Sequence, residues 1–237
     1  MNNALSLKNI LVSRRDGRTR RIILDIPSFQ LAAGDTVCLH GVSGSGKTSL
    51  LQLLGGLTTA DPAEAGLPSG EVRWGDVCID ELSESERDLW RSQHVGFVFQ
   101  DFQLVPGLSA LENVLLPVTF RSWSIPGVLR DRARTLLQTM DIHQLDQQVH
   151  LLSRGEMQRV AIARAVLPEP DILLADEPTA SLDKENAEAV TRLLVDYARE
   201  HACTLILVSH EPNMRGRTRR SFLLERGELH ETTSDAD

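Results

Sequence analysis

An α/β protein is expected here, with a mixed, mostly parallel sheet, an N-terminal antiparallel β-subdomain and an inserted helical subdomain. Three features of the chain point to it. Residues 41 to 48, Gly-Val-Ser-Gly-Ser-Gly-Lys-Thr, fit the phosphate-loop pattern G-x-x-x-x-G-K-S/T at every fixed position. The octet lies between a strand-like run, Thr36 to His40, and the leucine-rich start of a helix, Ser49 to Leu54. Ile172 to Ala175 and Thr204 to Val208 are continuous apolar runs, separated by the helical segment Lys184 to His201. That is the pattern of parallel strands buried on both faces.

The remaining elements follow in order. Ala4 to Val12 alternates as a strand, Arg14 to Arg18 turns around Asp16-Gly17, and Ile22 to Ile26 resumes the strand. Asp61 to Gly70 is a loop by composition, and Glu71 to Ile79 returns to a strand. Glu84 to Gln93 is a charged helix leading into the short strand Val95 to Phe99. From Ser109 to Leu145 the apolar spacing is helical, interrupted by Pro117 and Pro126. The chain closes with a hairpin, Ser221 to Leu224 and Glu228 to His230 around Gly227, then a polar tail expected to be disordered. One domain is expected: a core of about 1–100 and 160–230, a helical subdomain of about 101–159 and a tail of about 231–237.

Composition narrows the class. A length of 237 residues with 41% hydrophobic content suits one sizeable domain with an insertion. A net charge of −8 opposes nucleic acid, so no nucleic-acid partner is expected. The arginines at 14, 15, 18, 20 and 21 read as a solvated hairpin tip. Cys38, Cys78 and Cys203 are far apart, each in an apolar stretch, as reduced core residues of a cytosolic protein would be. No apolar run approaches the roughly 18 residues of a membrane span, and the first ten residues lack a secretory apolar segment. If a membrane is involved, a partner supplies it.

The octet specifies chemistry. Its glycines, Gly41, Gly44 and Gly46, let successive N–H groups line an anion nest at a helix N-terminus, with Lys47 reaching the β- and γ-phosphates and Thr48 offering a hydroxyl to Mg2+. A P-loop nucleoside-triphosphatase core follows from it, with Val42, Ser43, Ser45 and Ser49 completing the cradle. Asp176 and Glu177 come straight after a buried strand, at the edge where parallel sheets expose their ligand sites. Asp176 would hold the metal's hydration shell, and Glu177 would orient the attacking water. His210 ends the next strand, within reach of the γ-phosphate.

Residues 152 to 165, Leu-Ser-Arg-Gly-Glu-Met-Gln-Arg-Val-Ala-Ile-Ala-Arg-Ala, resemble the signature segment of ATP-binding cassette (ABC) ATPases, L-S-G-G-E/Q-x-Q-R-x-x-I/L-A-R-A, in all but one fixed position. Gln100 resembles the family's Q-loop, Ser181-Leu182-Asp183 its D-loop and His210 its switch histidine. The similarity runs from Leu5 to about Leu229, and residues 97 to 114 look like the branch serving lipoprotein-releasing, macrolide-efflux and antimicrobial-peptide exporters. The resemblance implies an ATPase subunit driving a transmembrane permease, peripheral on the cytoplasmic face of the plasma (inner) membrane. It implies two cassettes packed head to tail, as a homodimer or a heterodimer, with ATP and Mg2+ held between them. Ser153 and Gly155 of one cassette would contact the γ-phosphate bound by the other, and Gln100 would ligate Mg2+. Asp183 would sit at the seam, and Leu104, Val105, Leu108 and Leu111 would cradle a cytoplasmic helix of the permease.

Two departures from the family pattern stand out. Arg154 occupies the position of the first glycine of the Gly-Gly pair. It would either change the local backbone, weakening the trans contact and slowing turnover, or project a guanidinium toward the opposing γ-phosphate. The family also offers an aromatic residue to adenine near the N-terminus, whereas this chain has none before Phe29; the guanidinium plane of Arg14 or Arg15 is the substitute available. Two other readings are a non-transport cassette and a low-turnover regulatory cassette. Absence of twin cassettes and heptads opposes the first, and Glu177 with His210 opposes the second.

Overall fold

A computed structural model describes residues 3–17, 19–62, 69–120, 124–210 and 216–232. The expected loop at Asp61 to Gly70 falls partly outside these residues, as do Arg18 and the tail beyond Thr232. The first sheet is antiparallel, in the order β2-β1-β4-β5, with β1 Leu5–Asp16, β2 Thr19–Leu31, β4 Glu71–Trp74 and β5 Val77–Cys78. The second has the order β10-β9-β3-β8-β7-β6, with β3 Thr36–His40, β6 Val95–Val98, β7 Ile172–Asp176, β8 Thr204–Val208, β9 Arg220–Glu225 and β10 Glu228–Thr232. Its pairs are parallel except β9 with β10. Six α-helices are described: α1 Lys47–Leu54, α2 Glu84–His94, α3 Ala110–Thr119, α4 Gly127–Thr139, α5 Arg154–Val166 and α6 Lys184–Glu200.

The continuous apolar runs are continuous because each face of the second sheet is covered. Alternate residues of β7 and β8 enter different cores: Leu173, Ala175, Leu205 and Leu207 meet α3 to α6, while Ile172, Leu174, Ile206 and Val208 meet α1 and the antiparallel sheet. Leu173, Leu174, Leu205 and Leu207 are 0% exposed. Each such side chain contributes about 1.5–3 kcal/mol by leaving water. On the antiparallel sheet the period is two instead, so Leu24 and Ile26 turn inward while their neighbours face out. Trp74 ties that sheet to the phosphate-loop helix, its Nε1 donating to the carbonyl of Leu54 at 2.9 Å.

Four expectations about elements need correction. The first strand runs on through Arg14 and Arg15 to Asp16, pairing Arg14 with Arg21, Arg15 with Arg20 and Asp16 with Thr19. Arg20 offsets this like-charge pairing by donating to Ser13 Oγ and Asp61 Oδ2 at 2.7 and 3.0 Å. Glu71 to Ile79 is two short strands, since Gly75 turns at φ 55°. Pro117 does not interrupt α3: the helix runs through it to Thr119, although the ring removes one i→i−4 backbone donor. The proposed tail begins inside β10, where Glu231 and Thr232 pair with Phe222 and Ser221.

Helix starts are specified locally. Ser83, Ser109 and Ser153 each form a capping box with the glutamate three residues on, Glu86, Glu112 and Glu156. Each cap contributes about 1 kcal/mol and fixes where its helix begins. The three cysteines are buried and free; burial pushes the Cys203 thiol up to about 12, which leaves it inert as a nucleophile.

Candidate nucleotide site

Four chain segments leave the second sheet at one edge, the C-terminal edge of its parallel strands. β3 delivers residues 41 to 46, β6 delivers Gln100, β7 delivers Asp176 and Glu177, and β8 delivers Ser209 and His210. Adjacent registers, Val98 with Ala175 and Asp176 with Val208, hold these ends level. Ligand sites of α/β sheets form at such an edge.

The loop after β3 is built to receive an anion. Gly46 caps α1 at φ 106°, and a Cβ there would lie 3.0 Å from the carbonyl of Ile23 on β2, so both backbone shape and space require glycine. The first turn of α1 holds no acidic side chain, leaving its N-terminal dipole uncompensated. Ser45 Oγ is buried with no hydrogen-bond partner, a free polar group inside the loop. Lys47 is 5% exposed, its Nζ donating to the carbonyls of Gly41 and Val42 at 3.0 and 3.1 Å. Those carbonyls hold the ammonium at the loop, ready to exchange them for phosphate oxygens. Val42, Ser43 and Gly44 form the exposed rim, and Ser49 is half-buried in the helix behind them.

Beside the loop, Thr48 Oγ1 donates to Asp176 Oδ2 at 2.7 Å. One hydroxyl and one carboxylate are hard oxygen donors, suited to Mg2+ that keeps water and phosphate oxygens in its other positions. Among the described residues no group of three His, Cys, Asp or Glu side chains could hold a metal ion by itself. Gln100 lies exposed at the same sheet edge. Burial pushes the Asp176 carboxyl above its ordinary range and the neighbouring Glu177 adds to this, against the Thr48 hydrogen bond and Lys47. The folded state therefore holds this proton more tightly than the unfolded chain. The resulting stability is complete below the ordinary aspartate range and is lost as pH rises through the elevated value. Once ionised, the carboxylate is a cost that a cation would relieve. Asp176→Asn should accordingly raise the melting temperature of metal-free protein while abolishing hydrolysis; calorimetry in EDTA measures it.

Glu177 is one of the described non-glycine residues in the left-handed region, at φ 45°. Its N–H donates to the carbonyl of Val208 at 3.1 Å, which holds the backbone in that sparsely populated conformation. The strained turn brings Glu177 Oε1 within 2.8 Å of His210 Nε2. A carboxylate only accepts, so Nε2 carries the hydrogen in this contact. The imidazole thereby fixes one carboxylate oxygen and leaves the other for a proton.

Ser153 caps α5, its Oγ engaged with Glu156, and among the described residues no hydrogen bond joins Ser153 or Gly155 to residues 41–49. Arg154 is the first residue of α5, in ordinary right-handed conformation. The expectation that arginine would disturb the backbone is therefore incorrect: the position never needs positive φ. Glycine is required one residue later, where a Cβ on Gly155 would sit 2.7 Å from Asn186 Cγ and closer still to Oδ1. Asn186 is pinned by Asp183 and by Arg159 Nη1 at 3.2 Å, so it yields little. Gly155→Ala should cost about 1–3 kcal/mol in urea unfolding, and the Gly155→Ala/Asn186→Ala protein should lose less than the sum of the two single changes.

Of the four apolar residues assigned to a permease helix, Leu111 is a core residue, 5% exposed, and Leu104 packs on that core. Leu108 is half-buried and Val105 is exposed. The sequence reading missed three anchoring side chains. Asn113, fully buried, accepts from Val105 N and donates to the carbonyls of Val105, Leu108 and Ser109. Arg164 donates to the carbonyls of Phe102 and Gln103, holding both residues left-handed at φ 58° and 51°. Asn186 is the third. Only a buried-polar position inside an apolar helical pattern marks Asn113 in the sequence.

Comparison with known proteins agrees with this geometry. The family profile described as "ABC transporter" matches residues 24–180. The chain is 39% identical over 230 residues to the "Uncharacterized ABC transporter ATP-binding protein YbbA" of Escherichia coli (strain K12), covering 97% of each. It is 36% identical over 232 residues to the "Lipoprotein-releasing system ATP-binding protein LolD" of Coxiella burnetii (strain RSA 493 / Nine Mile phase I), again covering 97% of each. Among solved structures, the dimeric post-hydrolysis state of the ATP-binding cassette MJ0796 bound to ADP and Pi superimposes with a TM-score of 0.86 at 32% identity, covering 98% of this chain and all of that one. The chain belongs to the ABC transporter family, as an ATP-binding and ATP-hydrolysing subunit.

Proposed function

We propose that this cassette powers an exporter, working as one of a pair on the cytoplasmic face of a membrane beneath a transmembrane permease. The observation that carries the reading is the division of the site. The cradle, the metal donors and the Glu177–His210 pair share one sheet edge, while the Ser153 helix start has no hydrogen bond to the cradle in its own chain. Two copies arranged head to tail complete each other, and the dimeric state of MJ0796 supports that arrangement. The names of the lipoprotein-releasing relatives support the export direction. Among the described residues no helix is long and apolar enough to cross a membrane.

In the closed pair, Lys47 and the N–H groups of residues 41 to 48 hold the phosphates of ATP. Thr48, Asp176 and Gln100 would hold Mg2+, which supplies charge neutralisation on the β- and γ-phosphates. Glu177, steadied by His210, accepts a hydrogen bond from the attacking water and takes up its proton as it attacks. The partner's Ser153 hydroxyl and α5 N-terminus face the γ-phosphate, and their hold ends when that phosphate is cleaved. The experiment is affinity purification of the tagged chain from membranes of its native host in Mg-ATP. A transmembrane protein recovered in stoichiometric amount, and stimulating ATP hydrolysis, is the expected outcome; a chain recovered alone from the soluble fraction contradicts the transport reading.

A further inference from the structure

The residue in which this chain departs from the signature pattern has a place in the fold. Arg154 Nε donates to the carbonyl of Ser181 at 3.1 Å, and its guanidinium carbon lies 5.3 Å from the centre of the Phe102 ring. Ser181 belongs to the loop that begins at Glu177 and ends at Asp183, the cap of α6. Internal bonds tighten that loop, Ala180 N to Glu177 O at 3.2 Å and Leu182 N to Thr179 O at 3.0 Å, so a hold on Ser181 is passed toward Glu177. Phe102 is buried, two residues beyond Gln100, and its carbonyl is held by Arg164. One side chain from the first turn of α5 therefore touches both the segment behind Gln100 and the segment behind Glu177. A glycine at 154 would touch neither.

We infer that Arg154 is a positioning residue that joins the arm presented to the partner's ATP with the loop carrying its own Glu177, so that the two sites of the pair turn over in concert. This rests on the paired-cassette reading above. The guanidinium suits the task because it donates through Nε while its cation lies over an aromatic ring; a lysine ammonium does one or the other. The rival role, a cation reaching across to the partner's γ-phosphate, would release Ser181 and Phe102.

The test uses the full-length cassette. Glu177→Gln with Arg154 intact must first pair in Mg-ATP; its failure to pair removes the paired-cassette reading rather than this one. Steady-state ATPase is then measured for Arg154→Gly, Arg154→Lys, Phe102→Leu, which keeps apolar volume, and the Arg154→Gly/Phe102→Leu double variant. Arg154→Gly is expected to lower kcat about tenfold, equal to ~1.4 kcal/mol, with KM for ATP nearly unchanged and the Hill coefficient moved toward one. Arg154→Lys should not restore it, and the double variant should be no slower than Arg154→Gly alone. In the Glu177→Gln background, Arg154→Gly should leave ATP-driven pairing essentially as strong. Multiplicative losses, an unchanged or faster kcat, or pairing weakened by about tenfold or more would each overturn the inference, the last by assigning Arg154 to the partner's phosphate.

Discussion

Glu177→Gln should lower steady-state hydrolysis by about 10²–10⁴-fold, the span associated with a lost general base, while ATP still binds and still draws two cassettes together. The substitution is nearly isosteric. The glutamine carbonyl oxygen can accept from His210 Nε2 as Glu177 Oε1 does at 2.8 Å, and the backbone bond to Val208 is untouched. What disappears is the free carboxylate oxygen that takes the proton of the attacking water. The pair then has no exit from its closed state. Gel filtration with light scattering in Mg-ATP should show a stable dimer for Glu177→Gln and a monomer for the unaltered chain after its ATP is spent. A monomer in both would mean that the nucleotide does not bridge two copies.

Lys47→Ala should weaken ATP binding about 100-fold, from the loss of charge-assisted bonds worth roughly 1.5–3 kcal/mol each. Lys47 is almost fully buried against Gly41 and Val42, so its removal also strands two carbonyls that it satisfies in the nucleotide-free chain. Thermal shift separates the two effects. At ATP about 100 times the native Kd, the native chain should gain ~2.7 kcal/mol of stability, and Lys47→Ala, near its own Kd, only about 0.4 kcal/mol. A gain preserved in the variant would show that the triphosphate is held elsewhere.

Much of the site was legible because its signals are local. The octet at 41 to 48 lies in its required strand and helix context, and Asp176, Glu177 and His210 follow apolar runs whose continuity marks buried parallel strands. Their shared position at one sheet edge then follows from topology alone. Contacts between distant segments were less legible. Arg154 looked like a backbone problem because the family string has glycine there, yet the capping box of Ser153 and Glu156 makes 154 an ordinary first helical residue. The steric demand falls on Gly155 because Asn186, thirty-one positions later, packs against it. Pro117 did not break its helix, which runs through it to Thr119. Leu111 looked like a docking residue because an inward helix face and an outward apolar patch have the same spacing.

A mixing experiment tests the shared site most directly. Ser153→Arg spoils the arm and keeps the cradle; Lys47→Ala spoils the cradle and keeps the arm. Each protein alone should be inactive. Mixed in equal amounts with ATP, they should form pairs in which one of the two sites has an intact cradle and an intact arm, and hydrolysis should return to a fraction of the native rate. If the mixture stays as inactive as its components, or if Ser153→Arg alone hydrolyses ATP normally, each chain completes its own site and the account is wrong.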